Sequence, residues 1–177
     1  GDFHEGMNWA ALYRLPVLFL CQNNGWAISV PAERQMAGGS VAARAAGYGM
    51  EGVSLDGTDP FAVYAAARRA VARALAGGGP TLIEARVLRL EPHTCDDNHV
   101  TYRSAAELAE ARERDPLPAV ADYLRRAGLL PEAREAELER AVAAEIDAAE
   151  EQARAAPLPR GEEALEGVTS PPAPGPA

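Results

Sequence analysis

Oxygen-donor groups gather in the turn that follows the most apolar run of the chain. Asn23 and Asn24 come directly after residues 17–21, which are five apolar residues in a row. Asn24 offers an amide oxygen, and a turn exposes backbone carbonyls such as that of Trp26. These are hard donors that Mg²⁺ accepts when a phosphate and a carboxylate complete its octahedron. An ordinary turn explains the same residues, because Asn tolerates positive φ, so the spacing alone leaves both interpretations open.

A second group of polar side chains follows the last predicted strand, in a polar loop. It holds His93 and His99 together with Asp96 and Asp97. We expect the two aspartates to order the loop by accepting hydrogen bonds from backbone amides or from Arg103. We expect His99 to be solvated. His93 fits either a plain loop residue or a functional imidazole.

Alternating strands and helices are predicted to position these groups. The strands are predicted at residues 17–21, 51–56 and 81–90, with a possible extended continuation at 27–30. This order predicts an α/β fold with a parallel doubly wound sheet. Ligands of such sheets bind beyond the carboxyl ends of the strands, which is where Asn23 and Asn24 fall.

Helix signals flank the strands. A first helix is expected from Glu5 to about Leu15 with Asp2 as its cap, and a short helix is expected over residues 38–46. Asp59 is predicted to cap a helix over 61–76 whose first position is Pro60. The apolar residues of that helix fall on helical spacing, the pattern of an amphipathic helix; they are Phe61, Tyr64, Val71 and Leu75.

The second half of the chain differs in charge and composition. Residues 1–90 hold 7 acidic and 8 basic residues, whereas residues 91–177 hold 19 acidic and 9 basic residues. Helices are predicted over 104–112, where Ser104 opens a capping box, over 117–127 and over 131–155. In the last of these, Leu138, Val142 and Ile146 form a narrow apolar stripe. We therefore expect an α/β domain at 1–103, a helical region at 104–156 and an extended Pro- and Gly-rich tail at 157–177.

Composition excludes several classes of partner. The net charge is −9 and every basic residue is Arg, which argues against a nucleic-acid backbone as ligand. No apolar run approaches the roughly 20 residues that span a bilayer, so we expect no membrane. The two cysteines, Cys21 and Cys95, have no paired spacing, which favours a reducing compartment.

Several motifs in a fixed order resemble one enzyme family. They are Gly1 to Ala11, Leu15-Pro16-Val17, Cys21 to Pro31, Gly47 to Met50, Asp56 to Pro60, Gly79 to Ala85, Pro92-His93-Thr94, Asp97 and Tyr102-Arg103. Together they resemble the alpha subunit of the thiamine-diphosphate-dependent, decarboxylating component of 2-oxo acid dehydrogenases, in the C-terminal part of that subunit. The resemblance implies a thiamine-diphosphate-binding fold, with thiamine diphosphate and Mg²⁺ as cofactors.

The resemblance assigns roles to four positions. It implies that Asn24 is a side-chain ligand of Mg²⁺ and that Trp26, where the family usually has Tyr, is a ligand through its backbone carbonyl. Gln22 occupies the place of a residue near the diphosphate. His93 occupies the place of the active-site histidine in a loop that closes over the cofactor, where an imidazole makes charge-assisted hydrogen bonds and moves protons near neutral pH.

One departure from the family concerns the metal. The family's cofactor motif opens with Gly-Asp-Gly about thirty residues before the Asn pair, and its carboxylate is the third Mg²⁺ ligand. Asp2 is too close to Asn24 to be that residue. We therefore expect the carboxylate to lie upstream of Gly1, and we expect this fragment alone to be inactive.

The family also implies partners and a reaction. A beta subunit is expected to bind the aminopyrimidine in an alpha2beta2 heterotetramer, and a lipoyl-bearing transacylase is expected to accept the acyl group after oxidative decarboxylation of pyruvate or a branched-chain 2-oxo acid. The expected location is cytoplasmic, or the mitochondrial matrix in a eukaryote. Three alternatives stay open: an acetoin-type thiamine enzyme, a catalytically silent remnant, and an interaction module built on the acidic helix at 131–155.

Overall fold

The computed structural model describes residues 1–168, which form five strands, five α-helices and four short 3₁₀ helices. The strands are β1 (Leu18–Asn23), β2 (Trp26–Ala27), β3 (Val30–Pro31), β4 (Glu51–Asp56) and β5 (Thr81–Arg86). The α-helices are α1 (Asp2–Leu12), α2 (Pro60–Leu75), α3 (Ala105–Glu113), α4 (Pro116–Arg126) and α5 (Glu132–Ala155). The 3₁₀ helices are Ala32–Arg34, Ala42–Tyr48, His99–Thr101 and Gly161–Leu165.

Three strands form a parallel sheet in the order β1-β5-β4. At one end Leu18 of β1 and Glu51 of β4 both pair with Thr81 of β5, and at the other end Asn23 and Asp56 both pair with Arg86. The three strands therefore end level. This arrangement confirms the predicted parallel α/β fold, although β5 stops at Arg86 instead of continuing to residue 90.

The central strand β5 is buried on both faces. Leu82 packs with Met7 of α1 and Ala45 of the Ala42–Tyr48 helix. Its neighbour Ile83 points to the opposite face and packs with α2. Helices thus cover both sides of the sheet, as expected for a doubly wound arrangement, and the five residues before Arg86 are all buried, which is typical of a parallel strand.

The Ala42–Tyr48 helix lies very close to β4. A Cβ atom at Gly52 would lie 2.2 Å from the Ala42 carbonyl oxygen, which no side chain tolerates. Glycine at this position is what lets the start of that helix approach the sheet. The sequence predicted a helix here at 38–46; the structure places a 3₁₀ helix a few residues later.

Helix α2 begins as predicted but buries a different face. The Asp59 carboxylate accepts hydrogen bonds from the amides of Phe61 and Ala62, and Pro60 occupies the first turn. The residues buried against the sheet are alanines, namely Ala66, Ala70 and Ala74. The large apolar residues that fitted helical spacing are all exposed; they are Phe61, Tyr64, Val71 and Leu75. Small side chains let the helix axis approach the strands, so alanines form the core face.

Two local expectations near the N-terminus are corrected. Asp2 is the first residue of α1 and makes no capping hydrogen bond, because Gly1 occupies the N-cap position. The segment after Gly25 is not one extended continuation but a hairpin, in which β2 and β3 pair antiparallel around Ile28 and Ser29. Ile28 takes a positive φ of 55°, an unusual conformation for a β-branched residue.

The helical second half largely follows its sequence signals. Ser104 caps α3 by accepting a hydrogen bond from the Glu107 amide, but the Glu107 carboxylate binds Arg103 instead of closing the capping box. The predicted extended tail contains the Gly161–Leu165 3₁₀ helix, and its residues 169–177 lie outside the described part.

Two compact units divide between Tyr123 and Leu124. In α5 the predicted apolar stripe is exposed at Leu138, Val142 and Ile146. Within residues 1–168, no helix is both long and apolar enough to cross a membrane. The expected division at residues 103 and 156 stays a prediction.

The alanine face of α2 generates a stability prediction. We expect Ala70→Leu to destabilise the chain by about 1–3 kcal/mol, because it overfills the contact between α2 and the sheet. Leu75→Ala, which removes a side chain that is 80% exposed, is the control and should change the free energy of unfolding by less than about 0.5 kcal/mol. Urea denaturation measures both values. A larger loss for Leu75→Ala than for Ala70→Leu would show that the buried face is assigned incorrectly.

Candidate functional site

Two consecutive amide side chains build the turn at the end of β1. The Asn23 side-chain oxygen accepts a hydrogen bond from the Gly25 amide at 3.0 Å, and the Asn24 oxygen accepts one from the Trp26 amide at 2.9 Å. Gly25 has a φ of 78°, which favours glycine. Both asparagines therefore hold the turn locally, and the Asn24 oxygen keeps a second lone pair for another partner.

The hairpin register fixes the direction of the Trp26 carbonyl. The Ala32 amide donates to the Gly25 carbonyl at 2.8 Å, so the next pair along, Trp26 with Pro31, is a pair without mutual hydrogen bonds. In such a pair the N–H and C=O groups point away from the partner strand. The Trp26 N–H accordingly meets the Asn24 oxygen. Antiparallel geometry directs the carbonyl of such a residue to the same side as its N–H.

Glu84 anchors this turn from the central strand. Its side chain is 1% exposed and lies on the same face of β5 as Leu82. One carboxylate oxygen accepts a hydrogen bond from the Asn23 amide nitrogen at 2.8 Å. The other accepts from the Ser40 hydroxyl at 2.6 Å and from the Ala42 amide at 3.1 Å. Glu84 therefore joins the Asn turn to the segment that begins the Ala42–Tyr48 helix.

The hydrogen bonds keep the buried Glu84 ionised. Burial raises the pKa of its carboxyl, but donors from Ser40, Asn23 and the amides of Ala42 and Val41 outweigh burial and lower the pKa to about 2. Glu84 lies within the Gly79 to Ala85 motif, but the sequence motifs predicted no role for it. A carboxylate between Ile83 and Ala85 in a predicted strand was the available signal, since unpaired burial of a carboxylate is costly.

Two clefts open beside the turn. One, of about 220 Å³, is lined by three of the four residues with predicted roles, Gln22, Asn24 and Trp26, and by Cys21. The other, of about 300 Å³, is lined by Asn23, Gly25 and Arg86 together with residues of the 32–39 segment. Burial and, to a smaller extent, the nearby Glu84 raise the pKa of the Cys21 thiol, which disfavours the thiolate.

His93 lines neither cleft, and its imidazole is exposed in the loop after β5. Its backbone amide donates to the Asp97 carboxylate at 2.8 Å, and the Tyr102 hydroxyl donates to the same oxygen at 2.5 Å. These two hydrogen bonds lower the pKa of Asp97, the Tyr102 bond more strongly. The structure thus connects the His93 backbone to Tyr102, while the side chain is free to meet a ligand.

Of the other expectations for this loop, one is confirmed and one is wrong. Asp97 accepts a backbone amide hydrogen bond, one of the two kinds of donor expected, while Arg103 donates to the Arg89 carbonyl and to Glu107. His99, expected to be solvated, is 7% exposed and its Nδ1 atom has no hydrogen-bond partner. Residue 99 begins a 3₁₀ helix, which turns its side chain inward.

The donor set at the turn suits a cation only together with other ligands. Among residues 1–168 no group of three or more His, Cys, Asp or Glu side chains could hold a metal ion. The groups present, the Asn24 amide oxygen and the Trp26 carbonyl, are neutral oxygen donors on one side of the hairpin. They fit Mg²⁺ whose charge is offset by a phosphate ligand and an additional carboxylate.

Ligands of open parallel α/β sheets bind beyond the carboxyl ends of the strands, which is where the asparagine turn lies. The family described as "Dehydrogenase E1 component" matches residues 1–162. The chain belongs to this family, which confirms the resemblance found in the sequence motifs.

Known relatives are alpha subunits of such components. The chain is 45% identical over 168 residues to the 2-oxoisovalerate dehydrogenase subunit alpha of Bacillus subtilis, covering 95% of this chain and 51% of the relative. It is 50% identical over 129 residues to the 3-methyl-2-oxobutanoate dehydrogenase subunit alpha of Mycobacterium tuberculosis, covering 73% and 35%. It is 43% identical over 150 residues to the pyruvate dehydrogenase E1 component subunit alpha of Staphylococcus aureus, covering 84% and 40%. The chain spans about half the length, or less, of these relatives.

The buried carboxylate generates a pH prediction. A group whose pKa falls from 4.5 to about 2 on folding adds stability that is complete well above pH 4.5 and is lost as the pH falls toward 2. The stability difference between the chain and Glu84→Gln should therefore narrow by roughly 2 kcal/mol between about pH 6 and about pH 3.

Urea denaturation at both pH values measures this difference. Glu51→Gln is the control, because Glu51 forms a half-exposed ion pair with Arg73 whose loss should cost no more than about 1 kcal/mol. A Glu84→Gln difference that stays constant with pH would contradict an ionised Glu84.

Proposed function

We propose that this chain carries the diphosphate- and Mg²⁺-binding part of a 2-oxo acid dehydrogenase alpha subunit that works with thiamine diphosphate. The observation that supports this most is that Gln22, Asn24 and Trp26 line one cleft at the end of β1, with the Trp26 amide bonded to the Asn24 oxygen. Family membership and the alpha-subunit relatives support it independently.

Asn24 and Trp26 would supply two neutral ligands of the ion. Asn23 differs from Asn24 in one respect: the oxygens of both accept a backbone amide, but the Asn23 nitrogen also donates to the buried Glu84, which ties that side chain to the sheet. Glu84 is equally unavailable, since both its oxygens already accept hydrogen bonds inside the core. The remaining, anionic ligand would be a carboxylate that residues 1–168 do not bring to this turn.

Gln22 would contact the diphosphate. It is exposed at the end of β1 and lines the same cleft as Asn24 and Trp26. Its carboxamide nitrogen donates to phosphate oxygens without adding charge, whereas an Arg at this place would bind as a cation. This neutral donor suits a site in which Mg²⁺ supplies most of the positive charge.

His93 would be the catalytic residue of this chain. Its imidazole is exposed while its backbone is held by Asp97, so the side chain can turn toward a diphosphate or substrate oxygen. There an imidazole N–H donates a hydrogen bond to that oxygen and serves as a general acid.

When bound, thiamine diphosphate supplies a carbon nucleophile and an electron sink for decarboxylation of a 2-oxo acid. The substrate would be pyruvate or a branched-chain 2-oxo acid, with the acyl group passed to a lipoyl domain of a transacylase. A beta subunit would bind the aminopyrimidine, so that the active site lies between subunits of an alpha2beta2 heterotetramer. The proposed location is the cytoplasm.

The metal assignment predicts a selective binding defect. In the natural polypeptide that carries this sequence, paired with its beta subunit, Asn24→Ala should weaken Mg²⁺ binding at saturating thiamine diphosphate at least tenfold, because it removes a direct ligand. Isothermal titration measures the affinity. Asn8→Ala, on the exposed side of α1, is the matched control. Equal Mg²⁺ affinity of Asn24→Ala and Asn8→Ala would refute the proposal.

The role of His93 predicts a catalytic defect of a different kind. In the same complex, His93→Ala should lower kcat/KM for the 2-oxo acid by about 10²-fold or more, because a proton donor is lost. Steady-state kinetics measure the change. Cys95→Ala is the control, since Cys95 is an exposed free thiol of the same loop. If both variants retain full activity, His93 has no part in the reaction.

A further inference from the structure

Trp26 has a side chain whose contacts go beyond its backbone role. Its ring lies 5.4 Å from the Tyr102 ring, centroid to centroid. The guanidinium carbons of Arg89 and Arg103 lie 5.9 Å and 5.7 Å from the centre of the Trp26 ring. Two cations and one aromatic ring thus surround an indole, the side chain that binds cations most strongly through its face.

Hydrogen bonds fix the two guanidinium groups. Arg89 donates to the Ile28 carbonyl at 2.8 Å and to the Tyr102 hydroxyl at 2.8 Å. Arg103, whose side chain is 3% exposed, donates to the Arg89 carbonyl at 2.7 Å and to the Glu107 carboxylate at 2.9 Å. The surroundings of Trp26 are therefore preorganised rather than formed by loose surface contacts.

A continuous series of contacts leads from the residues around Trp26 to His93. Tyr102, which packs on Trp26, donates to the Asp97 carboxylate, and the His93 amide donates to the same oxygen. The Trp26 ring and the Arg89 hydrogen bond to the Ile28 carbonyl join these residues to the β2–β3 hairpin.

We propose that the indole of Trp26 is a positioning residue for His93. Acting through Tyr102, Arg89 and Asp97, its ring holds the backbone of the histidine loop against the hairpin whose other groups form the proposed Mg²⁺ site. The inference rests on the proposed function for the importance of His93, but the docking itself requires neither metal nor cofactor.

The position therefore has two separable tasks. The carbonyl of residue 26 faces the side of the Asn24 oxygen whatever the side chain is, because the hairpin register sets its direction. The ring contacts Tyr102, Arg89 and Arg103. An aromatic residue at position 26 preserves the second task, and an aliphatic residue of similar size loses it.

Amide hydrogen exchange of the full chain, followed by mass spectrometry, tests the docking. We expect Trp26→Leu to speed exchange in residues 91–103 at least tenfold, and we expect Trp26→Tyr to restore most of the protection. Trp9→Leu is the matched control, because Trp9 is 56% exposed on α1 and stacks on Tyr13. It should leave exchange in residues 91–103 unchanged.

Exchange in β5 reports whether each variant is folded. If Trp26→Leu also loses protection in residues 81–86, that variant is not folded, and Arg89→Met takes its place in the test. Arg89→Met keeps the indole and removes the hydrogen bonds to Ile28 and Tyr102. Arg89→Met should speed exchange in residues 91–103 while β5 stays protected. An unchanged rate in that loop for the folded variant overturns the inference, as does a Trp26→Tyr rate equal to that of Trp26→Leu.

A spectroscopic readout adds a second check. In a Trp9→Phe background Trp26 is the single tryptophan, and Arg89→Met should shift its emission to longer wavelength as the loop detaches and water reaches the ring. An unshifted spectrum overturns the inference. Because both measurements use the chain without ligand, a failure of Mg²⁺ binding in the Asn24 experiment would refute the proposed function and leave the docking result standing.

Discussion

The structure around the site depends on one buried charge. Glu84 sits in the central strand, has no access to solvent, and is stable as a carboxylate only while Asn23, Ser40 and the Ala42 amide all donate to it. Removing any one donor leaves a buried acceptor poorly satisfied, which is costly in a low dielectric. The asparagine turn, Ser40 and the Ala42–Tyr48 3₁₀ helix are therefore held together by Glu84. The hairpin that carries Trp26 follows directly from this turn.

Sequence reasoning succeeded where the signals are local. The bounds of β4 and the Asp59 cap of α2 follow from residues adjacent in the chain, and the structure confirms both. The order of strands and helices also predicted the parallel sheet, because parallel strands require long crossover connections. Gln22, Asn24 and Trp26 are near neighbours in the chain at the end of one predicted strand, and they line one cleft.

The features that sequence reasoning missed depend on partners distant in the chain. Helix α2 has both alanines and large apolar residues at helical spacing. Only its packing against Ile83 of the sheet decides that Ala66 and Ala70 face inward. His99 is buried by the turn of a 3₁₀ helix that no local pattern predicted. The task of Glu84 could not be derived either, since Ser40 and Asn23 meet it across 44 and 61 residues.

The position of Glu84 also guards against misfolding. In a strand, successive side chains alternate between faces, so a slip of one residue would turn Glu84 toward the alanine face of α2. That face is built from Ala66, Ala70 and Ala74 and offers no side-chain hydrogen-bond donor. A slipped sheet would bury an unpaired carboxylate against methyl groups, while the correct sheet gives it three donors. The residue that organises the asparagine turn therefore also rejects the wrong strand alignment, so a chain that pairs its strands incorrectly cannot assemble the turn.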